Sequence, residues 1–306
     1  MSLSRISIYL KLFSFITFFS SGVFSKTSFP GMDIFTSSAN ISMGGAGYLK
    51  PSPLSSNTNP SISGGKVFSA SIIKYPAGIV SQNIGISLLF KNNNFGKLSI
   101  NNISYGIFEG YDENLMSTGT YSASDTKIST SYGKRISRLP IRLGAQSSFY
   151  FSNYGNYTFN ILSFSTGFSF SAKEQKFILG MSIHNLLTSS FSNELIVDLH
   201  PKLVISGSKK LEHLPLSLFL DLTSGKSSDL TVYIGGEFDI NKNLQFRFGS
   251  SNRKFNQNIK KDIFSSVIGA SGFGFGYKKK DILINYSIYV FGTGALSQGM
   301  EINIAI

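Results

Sequence analysis

Cysteine and tryptophan are absent from this chain of 306 residues, and histidine occurs only three times. Without cysteine, disulfides and a cysteine-linked lipid anchor are both excluded. Charged residues make up 14% of the chain, against about 25% in an ordinary soluble domain. No segment approaches the ~18 consecutive apolar residues of a spanning helix, so helical membrane spans are excluded. His184, His200 and His213 show no metal-ligand spacing. A Ser–His–Asp hydrolase needs all three groups in register on one face. Serine is too abundant here for a chance match to carry information. The chain reads as non-enzymatic and free of cofactors.

What is present is aromatic, basic and alternating. Phe (28) and Tyr (14) are plentiful, and the formal charge is +12. Lys and Arg are scattered near turns and loops, without the single stripe that a nucleic-acid interface gathers. Residues 1–25 read as a secretory signal peptide: Arg5 and Lys11 precede a short apolar run, Leu12 to Phe19, and small residues offer a cleavage site before Lys26. Its removal would leave a charge of +10. Residues 26–64 are irregular and dense in Gly, Ser, Asn and Pro. Within them Gly44, Gly45 and Gly47 allow close backbone packing. No helical pattern follows, so a phosphate loop is not supported. Gly225-Lys226-Ser227 mimics the end of a P-loop, but Leu220 stands where that motif needs glycine.

From residue 65 to 306 the period is two. In LTVYIGGEFDINKNLQFRFG (230–249) apolar residues occupy the even positions and polar ones the odd. That alternation predicts two strands, each with one apolar face. Apolar faces match across the hairpin when residues 241–243 form the turn, with Ile240 opposite Leu244 and Glu237 opposite Arg247. Similar strands are expected near 66–74, 79–90, 95–107, 121–134, 139–151, 156–170 and 176–186. Others follow near 201–208, 213–222, 263–276, 281–291 and 297–306. Most reach the ~9–11 residues that cross a bilayer at a tilt. Short connections alternate with a set that contains the long ones, 108–120, 187–200 and 251–262, as in an outer-membrane barrel. The expected fold is an all-β, transmembrane antiparallel barrel of about 14 strands. Glu237 and Arg247 form its luminal salt bridge, and residues 26–64 form a plug.

Several stretches carry a family resemblance. They are ISMGGAGYLK and NPSIS near the start, TGTYSASD (118–125), SKKLEHLPLSL (208–218), GGEFDINKNLQFRFGSSNRK (235–254) and the Gly-rich run 269–304. On these the chain resembles the PorV/PorQ family of outer-membrane proteins of the type IX secretion system, PorQ-like members in particular, itself akin to FadL-type barrels. The resemblance implies a barrel of about fourteen strands with an N-terminal plug, in the cell outer membrane and in contact with its lipid. It also implies a non-enzymatic role in anchoring or assembling the surface attachment machinery for secreted cargo. The implied partners are a PorZ-like surface protein and a PorU–PorV-like attachment complex, with no nucleic acid. Kinship to FadL leaves open transport of hydrophobic solutes. The plug motif of relatives reads Asn59-Pro60-Ser61-Ile62 here.

Overall fold

The computed structural model describes residues 35–54, 57–91, 94–136, 139–155, 157–172, 176–191, 200–224, 230–257, 268–291 and 294–306. The signal peptide expected at 1–25, the first part of the irregular segment and Gly225-Lys226-Ser227 lie outside these residues. The strands are β1 Val67–Lys74, β2 Val80–Leu89, β3 Phe95–Tyr111, β4 Ser117–Arg135, β5 Ile141–Tyr154, β6 Tyr157–Ala172 and β7 Phe177–Ser190. They continue as β8 Lys202–Lys210, β9 Leu216–Ser224, β10 Leu230–Asp239, β11 Leu244–Ser251, β12 Ser271–Lys279, β13 Ile282–Val290 and β14 Leu296–Ala305. Each pairs antiparallel with its sequence neighbours, and β1 pairs with β14, so the sheet is a closed barrel of fourteen strands. Closure leaves no edge strand with unpaired backbone groups, a requirement in lipid.

The alternation in the sequence becomes a division between outside and inside. Outward residues such as Ile234, Leu220, Ile284 and Tyr286 are exposed. Inward residues such as Asp221, Asn285, Ser287 and Arg247 are buried. At the β10–β11 turn Asn241 accepts hydrogen bonds through Oδ1 from the amides of Asn243 (2.8 Å) and Leu244 (2.9 Å). The Ile240 amide donates to the Leu244 carbonyl (2.9 Å). The resulting register sets Glu237 opposite Arg247 and Phe238 opposite Phe246.

β7 runs to Ser190, into the loop expected from 187, and two boundaries differ further from the sequence expectation. The long loop expected at 108–120 is mostly strand: pairing of β3 with β4 continues from Gly106↔Ala123 to Tyr111↔Ser117. A register shift at Ser104/Gly106 re-aims the ribbon, and Phe108 stacks on Tyr121 at 5.6 Å. Asp112 then caps the tip by accepting from the Asn114 and Met116 amides. Hence Asp112, Glu113 and Tyr111 sit on a hairpin, not in an open loop. Strand β12 starts at Ser271 and not near 263. Ala270 takes a left-handed conformation (φ 52°), which an extended run cannot include. The remaining asymmetry of the two ends rests on the connections 191–201 and 252–270, on the side opposite the short turns.

Candidate functional site

The described residues of 35–64 run through the barrel interior, and most of them are buried. A short helix, Ser38–Ser42, lies against β12 and β13. Gly44, Gly45 and Gly47 follow it with φ of 66°, 99° and 104°, a run of left-handed turns that L side chains resist. Past them the backbone amides of Gly47 (2.7 Å) and Tyr48 (3.4 Å) donate to Asp221 on β9. Consecutive amides that converge on one carboxylate make a local anion cradle.

The wall accommodates this segment with inward-facing glycines. A β-carbon on Gly272 would overlap the Ile41 carbonyl, and one on Gly249 would overlap the Met43 carbonyl. Gly144 receives the Pro60 carbonyl in the same way, and Gly85 the Pro53 carbonyl. Gly167 and Gly180 make room for Asn59. Asn59 Nδ2 donates to the wall carbonyls of Phe168 (3.0 Å) and Met181 (3.1 Å). Its Oδ1 accepts from the amide (3.0 Å) and hydroxyl (2.8 Å) of Ser61. Each polar atom of this buried side chain therefore has partners, as burial demands.

A second set of contacts is ionic. Glu237 receives hydrogen bonds from Arg247 Nε and from Lys50 Nζ of the segment. Arg247, 1% exposed, passes over Gly276 to donate through Nη1 to Asn285 Oδ1 (2.8 Å). Asn285 donates to Glu301 (3.2 Å), and Ser37 donates to the other oxygen of Glu301 (2.7 Å). The chain Lys50–Glu237–Arg247–Asn285–Glu301–Ser37 thus leaves the segment, crosses the wall from β10 to β14 and returns to the segment. Its two cations and two anions balance, which limits the cost of burying them.

Two clusters interrupt the polar interior. Phe35 and Ile41 of the segment meet Ile73, Tyr75, Ala270, Tyr289 and Phe291 near the mouth opposite the short turns. Deeper, Met43 and Ala46 pack on Phe219 and Tyr233. Ser182 and His184 share a hydrogen bond (3.1 Å), and the Tyr48 ring lies 6.2 Å from the imidazole. Among the described residues no group of three or more His, Cys, Asp or Glu converges as a metal site. The structure brings Gly44, Gly45, Gly47, Asn59 and Pro60 to the inner wall and joins Glu237 to Arg247. Lys50, Glu301, Asn285 and the wall glycines were not singled out in the sequence. The alternation Gly272, Gly274, Gly276 against Phe273, Phe275, Tyr277 was the available signal that one face of that strand must stay bare.

No family model matches the sequence, and no curated protein matches it. Among solved structures, the toluene transporter TodX of P. putida is similar at 11% identity and a TM-score of 0.52. That match covers 87% of this chain and 96% of TodX. A TodX monoaromatic hydrocarbon channel with the deltaS2 mutation matches at 12% identity and TM-score 0.52, over 90% and 98% of the two chains. A FadL homologue from Pseudomonas aeruginosa matches at 11% identity and TM-score 0.47, over 88% and 97%. The fold is that of FadL-like outer-membrane barrels.

Proposed function

We propose that this protein is a non-enzymatic outer-membrane passage for apolar solutes, closed by residues 35–64 acting as a plug. One observation carries the reading. The interior is lined mainly by Ser, Asn, Gln and paired charges, yet at the mouth opposite the short turns it turns apolar and aromatic, at Phe35, Ile41, Ile73, Tyr75, Tyr289 and Phe291. A site that captures an apolar solute needs such a patch, and the segment that contributes Phe35 and Ile41 to it also fills the route below. The fold shared with a toluene transporter supports the same direction. Toluene or long-chain fatty-acid uptake, measured in cells that express the protein, tests it. Uptake above the empty-vector level that falls in Tyr289→Asp, once that variant is confirmed to migrate as a folded barrel, is the expected result. Uptake equal to the vector level sinks the reading.

A second reading, anchoring of the surface attachment machinery of type IX secretion, rests on the sequence resemblance and on the β3–β4 hairpin. That hairpin leaves its flanking strands: β4 pairs with β5 only up to Ala123, and β2 begins at Val80. Its tip exposes Ile107 (76%) and Leu115 (81%) with the acids Glu109, Asp112 and Glu113. A lone two-stranded ribbon is marginal in water, so a partner would stabilise it. A pull-down from solubilised outer membrane tests this reading; if deletion of 109–119 leaves recovery of type IX components unchanged, the hairpin is not the anchor. The export signal proposed at 1–25 is checked by the mass of the mature chain.

A further inference from the structure

The end that carries the short connections is ringed with lysine. The six connections that follow β2, β4, β6, β8, β10 and β12 each carry an exposed lysine within or beside them: Lys91, Lys134, Lys176, Lys209, Lys242 and Lys279. Arg135 and Lys210 double the charge at two of them, and Lys278 and Lys280 triple it at the last; all four are exposed too. Against this, among the described residues, stand Glu212 and Asp281, exposed, and Asp239, which lies 3.9 Å from Lys210. The opposite mouth mixes signs among the described residues, with Lys74, Lys202, Arg253 and Lys254 against Glu109, Asp112 and Glu113. Just inside the ring, exposed aromatics point outward beside three of the lysines: Phe90, Tyr132 and Tyr277. Aromatic rings at headgroup level next to cations mark a membrane interface.

Like charges arranged this way repel one another unless counter-charges come from outside the chain. The distribution identifies their source. A protein partner covers one sector of a rim and needs cations only there. Here every connection around the whole circumference supplies one, so the counter-charge must itself be annular. We propose that the ring binds the phosphodiester headgroups of anionic phospholipid in the leaflet at the short-connection end, and so fixes the depth and orientation of the barrel. This holds whether the barrel passes solutes or anchors a partner.

The test uses the full-length protein in nanodiscs of equal phosphatidylcholine and phosphatidylglycerol. Native mass spectrometry then counts the lipids that stay bound. Phosphatidylglycerol is expected to be enriched, by up to about fivefold for each lysine engaged. The combined variant K91Q, K134Q, K176Q, K209Q, K242Q and K279Q should fall to parity, while the same positions changed to arginine keep the enrichment and K74Q at the other mouth leaves it unchanged. If the combined glutamine variant fails to fold, K209Q with K279Q in an otherwise intact ring must still lower it. Parity in the unaltered protein overturns the proposal, as does enrichment that survives in the folded glutamine variants. Soluble polyglutamate that displaces phosphatidylglycerol from the unaltered protein also overturns it, in favour of an acidic protein partner.

Discussion

Asn59→Ala should release the luminal segment and leave the barrel standing. The side chain donates to two wall carbonyls and accepts from the amide and hydroxyl of Ser61. Phe168 and Met181 are register partners in the β6–β7 ladder, where backbone carbonyls keep their interstrand bonds. The two donated bonds are then worth about 1 kcal/mol each. Ser61 is fully buried, and its amide and hydroxyl lose their acceptor, which adds a further ~1–2 kcal/mol. The sum, about 3–4 kcal/mol, corresponds to roughly two to three powers of ten in the opening equilibrium. Hydrogen exchange of the protein in lipid reads this directly. Amides of residues 41–62 should lose protection by that factor, while those of β1 to β14 keep theirs. Protease should then cut within 40–62 of a barrel that still migrates as folded. Unchanged protection in the segment would refute the reasoning, and so would an equal loss in the strands, because either shows that Asn59 does not fasten the segment to the wall.

The other predictions concern pairing, space and lipid. Glu237→Ala leaves buried Arg247 and half-buried Lys50 without their shared anion, a loss of about 3–5 kcal/mol. Lys50→Met keeps the Glu237–Arg247 pair and should cost less than about 2 kcal/mol; urea midpoints for refolding into vesicles rank the two, and equal midpoints contradict the hierarchy. Gly272→Val puts a side chain where the Ile41 carbonyl lies, so protease should reach residues 40–62 while the sheet stays intact. Tyr286→Arg, in the middle of β13 and facing lipid, should destabilise the barrel by about 2–4 kcal/mol. The same substitution at Tyr132, close to the lysine ring, should cost about 1 kcal/mol or less.

The strands were legible because their determinant is local. Alternation needs only neighbours two apart, and matching apolar faces across a three-residue turn was enough to set Glu237 against Arg247. The β3–β4 ribbon is not legible in the sequence because Gly110 and Gly119 with Asp112 look like a loop. What keeps them extended is pairing between two stretches that are each poor in apolar alternation. The occupied interior was hidden for a different reason. Asn59 meets carbonyls 109 and 122 residues further on, and Ser37 meets Glu301 across 264 residues. No spacing rule spans such distances. Lys50 in particular reads as one more scattered cation until Glu237 is seen beside it.

The contacts between glycine and carbonyl have a further consequence. In a bore narrowed by side chains, rotamer hops on the picosecond-to-nanosecond scale change its width by small steps. At Gly85, Gly144, Gly249 and Gly272 the obstruction is the main chain of the segment itself, lying directly on the main chain of the wall. No rotamer can relieve it. If the barrel is the passage proposed above, its opening requires the whole segment to leave its seat, a slower and all-or-none motion. In a planar bilayer under voltage, a single barrel of this kind would show two current levels, with none between them.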